Sequence, residues 1–207
     1  VVSPLIALIK NQVDNLKSKG VKALALTGGI SPDDVIDLLD NCLYGNYKFL
    51  YLSPERLQQD LVQQRIQEMN VNLIAIDEAH CISQWGNDFR PSYLTCGILR
   101  DLAPNAPIIA LTATATPEVA KDIITNLQLN ELLVEKTSFA RDNIAFSVQW
   151  DEDKNYQLKQ LLEENNQSAI VYVRTRRLAN ELANYLLQHK IKATFYHGGL
   201  TKVEKET

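Results

Sequence analysis

Two adjacent carboxylates, Asp77 and Glu78, follow the apolar run Leu73-Ile74-Ala75-Ile76 and precede Ala79-His80. A buried strand of a parallel sheet that ends in acids delivers them to the carboxyl edge, where such sheets bind ligands. In nucleotide hydrolysis the first acid of such a pair holds Mg²⁺ and the second polarises the attacking water. Two acids alone also suit the first turn of a helix, where they complement the dipole, and taken alone that plainer reading is preferred. A polar run, Leu111-Thr112-Ala113-Thr114-Ala115-Thr116, ends the next strand, and Thr116 ahead of Pro117 reads by itself as a helix N-cap. Between the two, Cys81 to Pro91 sets Trp85, Phe89 and Arg90 among polar residues, Gly and Pro. Such a segment suits an exposed loop whose aromatic faces stack on bases, at about 1–3 kcal/mol per base, while an arginine adds phosphate or cation–π contact. Trp85 and Phe89, four residues apart, equally suit a short helix that caps the core.

The elements that must position these groups alternate between β-rich runs and helical patterns, which predicts an α/β fold with a doubly wound parallel sheet. The spacing predicts a helix from Pro4 to Gly20, a strand over Val21–Leu26, and a helix from Ser31-Pro32 to Gly45. A strand over Lys48–Leu52, a helix over Pro54–Met69 and a strand over Val71–Ile76 follow. Then come a helix over Tyr93–Leu102, a strand over Ile108–Leu111 and a helix from Pro117 to Leu127. After Lys136 the rhythm changes. Strands over Ile144–Trp150, Ala169–Val173 and Lys192–Tyr196 alternate with helices over Asn155–Glu164 and Arg176–His189, and Tyr172, Tyr185 and Tyr196 are expected in the core. This is the start of a second α/β unit with too few strands to close its own sheet. The expected boundaries are a first domain over 1–137, a linker over 138–143 and a second, partial domain over 144–207.

With 207 residues and 45% hydrophobic content, the chain can bury a core and is not disordered. Its net charge of −4 argues against coating nucleic acid by bulk charge, though a local basic groove is compatible with it. No apolar run approaches the roughly 20 residues of a membrane span, and no secretory signal is read. The three cysteines, Cys42, Cys81 and Cys96, form no CxxC, so neither a zinc site nor a disulfide framework is expected; a reducing compartment suits them.

Asp77-Glu78-Ala79-His80 is the signature of the DExH helicases, and His80 to Tyr93, H-C-I-S-Q-W-G-N-D-F-R-P-S-Y, closely resembles the aromatic-rich loop of RecQ-family DNA helicases. Val1–Leu16 is similar to their motif Ia, Tyr51-Leu52-Ser53-Pro54-Glu55-Arg56-Leu57 to motif Ib, and Ala110–Thr116 to motif III. Ser138–Ile144 resembles the segment between two RecA-like lobes, and Ile170–Arg176 with Tyr196–Leu200 the motif IV region. The resemblance implies a RecA-like fold and ATP-dependent 3′–5′ unwinding of DNA in repair and recombination. ATP and Mg²⁺ would be the cofactors, single-stranded and partly duplex DNA the partners, and the cytoplasm, or the nucleus in a eukaryote, the location. By the same resemblance Asp77 binds Mg²⁺, Glu78 activates water and His80 links the nucleotide site to the loop. Trp85, Phe89 and Arg90 contact single-stranded DNA; Thr112 and Thr114 connect the lobes; Ser3, Pro4, Arg56, Thr175 and Arg176 lie along the phosphate backbone.

Three positions depart from the family pattern: Asn87 stands for a common His, Val173 for a common Cys, and Asp142 for a frequent Pro. Nothing in the sequence matches G-x-x-x-x-G-K-[ST], and Thr27-Gly28-Gly29 reads as a strand-to-helix turn. The expectation is therefore that the chain is an excerpt of a longer helicase, preceded by the phosphate-binding loop and inactive in isolation. An apolar face or edge left open where that loop's strand and helix belong is an expected association surface. An RNA-dependent DExH ATPase and a non-catalytic nucleic-acid-binding module are the alternatives.

Overall fold

In a computed structural model the chain divides into two compact units, Val1–Glu135 and Lys136–Thr207. The structure describes residues 1–86, 88–130, 133–137, 141–165, 167–201 and 204. Asn87, the expected linker residues Ser138, Phe139 and Ala140, and most of the charged run after Thr201 lie outside them.

The first unit is built on a parallel sheet whose centre is the opening tripeptide. Strands β1 (Ala23–Leu26) and β2 (Phe49–Leu52) pair in parallel, as do β3 (Ile74–Ile76) and β4 (Ile108–Ala110). Val2 bridges Leu52 on one side and Ile76 on the other, giving the order β1-β2-Val2-β3-β4. Four backbone hydrogen bonds make this join: Val2 N–H to Ala75 O (2.8 Å), Asp77 N–H to Val2 O (2.9 Å), Ser3 N–H to Leu52 O (3.1 Å) and Leu52 N–H to Val1 O (3.0 Å). Because every strand runs the same way, Ser3, Thr27, Ser53, Asp77 and Leu111 all emerge at one carboxyl edge.

Alternation along the strands gives the sheet two faces. On one, helix α1 (Ile6–Ser18) buries Ile9 and Val13 against Ala23 and Tyr51. On the other, the larger core gathers Val2, Leu26, Leu52 and Ile76 under α2 (Pro32–Tyr44), α3 (Asp60–Glu68), α4 (Leu99–Leu102) and α5 (Pro117–Asn126). The face that α1 covers is uncovered over β3 and β4, where Leu73, Ile109 and Leu111 are all about half exposed.

Several expected elements form with the caps that were read for them. Ser31 accepts from Asp34 N–H at the start of α2, and Thr116 from Val119 N–H at the start of α5. Others differ. The first helix begins at Ile6, because Leu5 is extended and Pro4 stays outside. The expected helix over Pro54–Met69 breaks into a 3-10 turn, Pro54–Gln58, and α3, because Gln59 is extended at φ −89° and ψ 123°. Arg56 explains the break: its guanidinium bonds the Gln59 side chain and reaches back to Thr27 O, which holds the turn against β1. Over Tyr93–Leu102 a 3-10 run, Pro91–Ile98, supplies all but the last turn.

The second unit contains helices α6 (Lys154–Glu164) and α7 (Arg176–Gln188), capped by Asp153 and Thr175. Ile144–Trp150, Ala169–Val173 and Lys192–Tyr196 form no strand among the described residues. An extended segment becomes a strand only beside a partner at ladder spacing, and the apolar side chains of Val148, Ile170 and Tyr172 stand exposed. Tyr196, expected in the core, is exposed as well.

The two sheet faces predict unequal costs of truncation. Ile76→Ala, at a fully buried site, is expected to destabilise the first unit by about 2–5 kcal/mol, and Ile109→Ala by less than about 1 kcal/mol. Urea melts followed by circular dichroism read both, and equal losses would contradict this layer assignment.

Candidate functional site

The edge beyond β3 is shaped by a backbone reversal. Glu78 is left-handed, at φ 48° and ψ 44°, a conformation that costs a non-glycine residue on the order of 1 kcal/mol. The plainer reading of the acid pair as a helix start is thereby displaced, since only one 3-10 turn, Ala79–Ile82, follows. Asp77 is held from three sides. Its Oδ1 accepts from Glu78 N–H at 3.0 Å, and its Oδ2 accepts from the buried Ser3 hydroxyl at 3.2 Å. Its carbonyl accepts from the hydroxyl of the fully buried Tyr93 at 2.9 Å.

His80 joins this edge to the polar run after β4. Its Nδ1 lies 2.9 Å from Thr112 Oγ1 and 3.3 Å from Glu78 Oε2. The Thr112 hydroxyl donates to Thr114 O and accepts from Thr114 N–H. Thr112 Oγ1 and Glu78 Oε2 both lie within reach of the same ring nitrogen, whose donor or acceptor role follows the tautomer. Asp77, Glu78, His80, Thr112 and Thr114 thus form one connected cluster, with Thr114 on its exposed side.

Between Ser83 and Arg90 the described residues form no helix. Trp85 is 76% exposed, so it caps no core, and Phe89 is half-buried. Ser83 N–H bonds His80 O on one side of the loop, and Arg90 N–H bonds Cys81 O on the other. Gly86 passes so close to the His80 carbonyl that a Cβ there would lie 2.5 Å from its oxygen. Arg90 donates from Nε and Nη2 to Asp88, and from Nη1 to Pro4 O at 3.3 Å.

The remaining candidates are placed differently. Ser3 is fully buried, and Arg56 is also buried, its guanidinium turned inward onto Thr27 O and Gln59. Pro4 and Arg56 line a shallow cleft of about 410 Å³ together with Gly28, Ser53 and Gln59. Thr175 and Arg176 belong to the second unit, where Thr175 caps α7 and the Arg176 guanidinium lies over Gly199. Burial pushes the thiols of Cys81 and Cys96 up to about 11 and about 12, so both stay protonated at neutral pH and neither is a ready ligand.

No trio of His, Cys, Asp or Glu among the described residues could enclose a metal. Asp77 nevertheless fits Mg²⁺, which takes one or two carboxylates and completes its shell from water and phosphate. Each Asp77 oxygen accepts one bond and retains further acceptor capacity. Tyr93, Ser83 and Gly86 were not singled out from the sequence. A glycine directly after a loop aromatic was the only available signal, and for Tyr93 there was none.

Residues 1–123 match the family model described as DEAD/DEAH box helicase. The chain is 42% identical over its whole length to the ATP-dependent DNA helicase RecQ of Bacillus subtilis (strain 168), covering 35% of that protein. It is 36% identical to the ATP-dependent helicase wrn-1 of Caenorhabditis elegans, again over its whole length and covering 20% of that protein. The chain thus spans about a third or less of these relatives. Among solved structures, the DUF1998 helicase MrfA bound to DNA superposes with a TM-score of 0.66 at 15% identity, over 100% of this chain and 31% of that one. Mycobacterium smegmatis helicase Lhr bound to ssDNA and AMP-PNP gives 0.60 at 19% identity, over 99% and 31%. These two establish the RecA-like fold of helicase domains.

Tyr93→Phe tests the anchoring of Asp77. Loss of the hydroxyl leaves a buried carbonyl without its donor and is expected to cost about 1–3 kcal/mol in a denaturant titration. An unchanged midpoint would show that Tyr93 does not hold the acid edge.

Proposed function

This chain belongs to the DEAD/DEAH box helicase family, and on that premise we propose that it is part of the motor of an ATP-dependent 3′–5′ DNA helicase of RecQ type. The motor couples ATP hydrolysis to movement along single-stranded DNA and to unwinding of partly duplex DNA in repair and recombination. The observation that carries this reading is the placement of Trp85, an exposed aromatic on a loop whose two sides are bonded to the edge presenting Asp77 and Glu78. The likeness to the RecQ of Bacillus subtilis, an ATP-dependent DNA helicase, supports it.

Asp77 is the residue that would hold Mg²⁺, which supplies charge neutralisation at the phosphates of ATP. Glu78, turned out by its left-handed backbone, orients the attacking water. His80 and Thr112 tie that acid to the polar run, so that Thr112 and Thr114 answer to the nucleotide state. Trp85, Phe89 and Arg90 meet the single strand. Pro4 and Arg56 lie along the phosphate backbone beside the cleft they line with Gly28 and Ser53, and Ser3 serves the same surface through its bond to Asp77. Thr175 and Arg176 provide phosphate contacts in the second unit. The units Val1–Glu135 and Lys136–Thr207 are parts of two RecA-like lobes, and no described helix is long and apolar enough to cross a membrane. The 207 residues contain no G-x-x-x-x-G-K-[ST], so the isolated chain does not turn over ATP.

In a helicase carrying this chain and a phosphate-binding loop, Glu78→Gln is expected to lower ATP turnover by about 10²–10⁴-fold while single-stranded DNA still binds. Trp85→Ala is expected to remove stimulation of hydrolysis by DNA without shifting the melt. Full DNA stimulation in Trp85→Ala, or equal stimulation of the parent by RNA, would reject the reading.

A further inference from the structure

The aromatic loop has a second attachment that does not pass through the acid edge. Ser83, at its first position, is 1% exposed, and its hydroxyl donates to Asp122 Oδ2 at 2.6 Å. The same hydroxyl oxygen accepts from the backbone N–H of Trp85 at 3.1 Å. Asp122 sits on α5, the helix that Thr116 caps immediately after the Thr112–Thr114 cluster.

Each bond strengthens the other. A hydroxyl that donates to a carboxylate becomes a better acceptor, so the charge on Asp122 polarises the oxygen that holds the Trp85 amide. A buried serine with both functions filled has one orientation, and the amide it holds fixes the backbone from which the indole projects. The indole itself is exposed and touches little that would hold it otherwise. The bond to Asp122 also spans 39 residues, so no local turn requires it.

We infer that Asp122 is a positioning residue which, through Ser83, fixes the Trp85 backbone to α5. The helix that begins at the polar run thereby sets the attitude of the aromatic that meets the strand. Its bearing on DNA binding rests on the reading of Trp85 given under the proposed function; the tie itself does not.

The test uses the 207-residue chain with Trp150→Phe, which leaves Trp85 as the sole tryptophan. Fluorescence anisotropy reads how firmly Trp85 is held, and titration with an oligothymidylate of about 20 nucleotides reads its use. Ser83→Ala and Asp122→Ala are each expected to lower the anisotropy and weaken oligonucleotide binding by about tenfold, with the thermal melt retained. The double variant should be no worse than either single one. Asp122→Asn, which keeps an acceptor oxygen at the same reach, should retain most of both signals. Unchanged anisotropy in both Ser83→Ala and Asp122→Ala would overturn the inference. If the oligonucleotide leaves wild-type Trp85 unaffected while both variants lower its anisotropy, the tie stands and the DNA-binding role of the loop falls.

Discussion

The pairing of Val1–Ser3 between β2 and β3 is the constraint on which the rest of the first unit depends. Without it the described strands are two separate pairs, β1-β2 and β3-β4, each too small to hold a face of its own. The join sets the register that ends β3 at Asp77 opposite Ser3, and so lets the buried serine hydroxyl reach the Asp77 carboxylate. It also aligns the carboxyl ends of all the strands, which is why residues more than 70 positions apart meet at one edge.

Two features convert that edge into a site. One is the left-handed backbone at Glu78, a local cost maintained by the bonds on either side of it: Asp77 Oδ1 to its own amide, and His80 Nδ1 to its carboxylate. The other is the cross-link from His80 to Thr112, which makes the ends of β3 and β4 one body. The aromatic loop then departs from that body at His80 and rejoins it at Cys81 and Pro4. A group that moves with either strand end moves the loop, because few independent joints lie between them.

The legible part of this arrangement was the part written in short-range patterns. Alternating apolar runs, Ser31 and Thr116 as caps, and the acid pair after an apolar strand are local signals, and each found its place. What the sequence did not reveal depends on contacts distant along the chain. The break at Gln59 comes from Arg56 reaching back 29 residues to Thr27, and no propensity encodes that. Tyr93 read as an ordinary helical aromatic, yet its hydroxyl fastens Asp77. Arg56 was placed along the phosphate backbone by resemblance alone, and the bonds of its guanidinium to Thr27 O were not legible in the sequence. In the second unit the β-rich runs were plain in the sequence, but hydrogen-bonded ladders require neighbours that periodicity cannot supply.

The central claim is that the acid edge and the polar run act as one body through His80 and Thr112. A double-mutant cycle on DNA-stimulated ATP hydrolysis, in a helicase carrying this chain and a phosphate-binding loop, tests it most directly. His80→Ala and Thr112→Val should each lower stimulation, and the double variant should lower it no further than the worse single one, a coupling on the order of 0.5–3 kcal/mol. Losses that simply add would show that the two side chains act separately, and the account of a single coupled edge would fail.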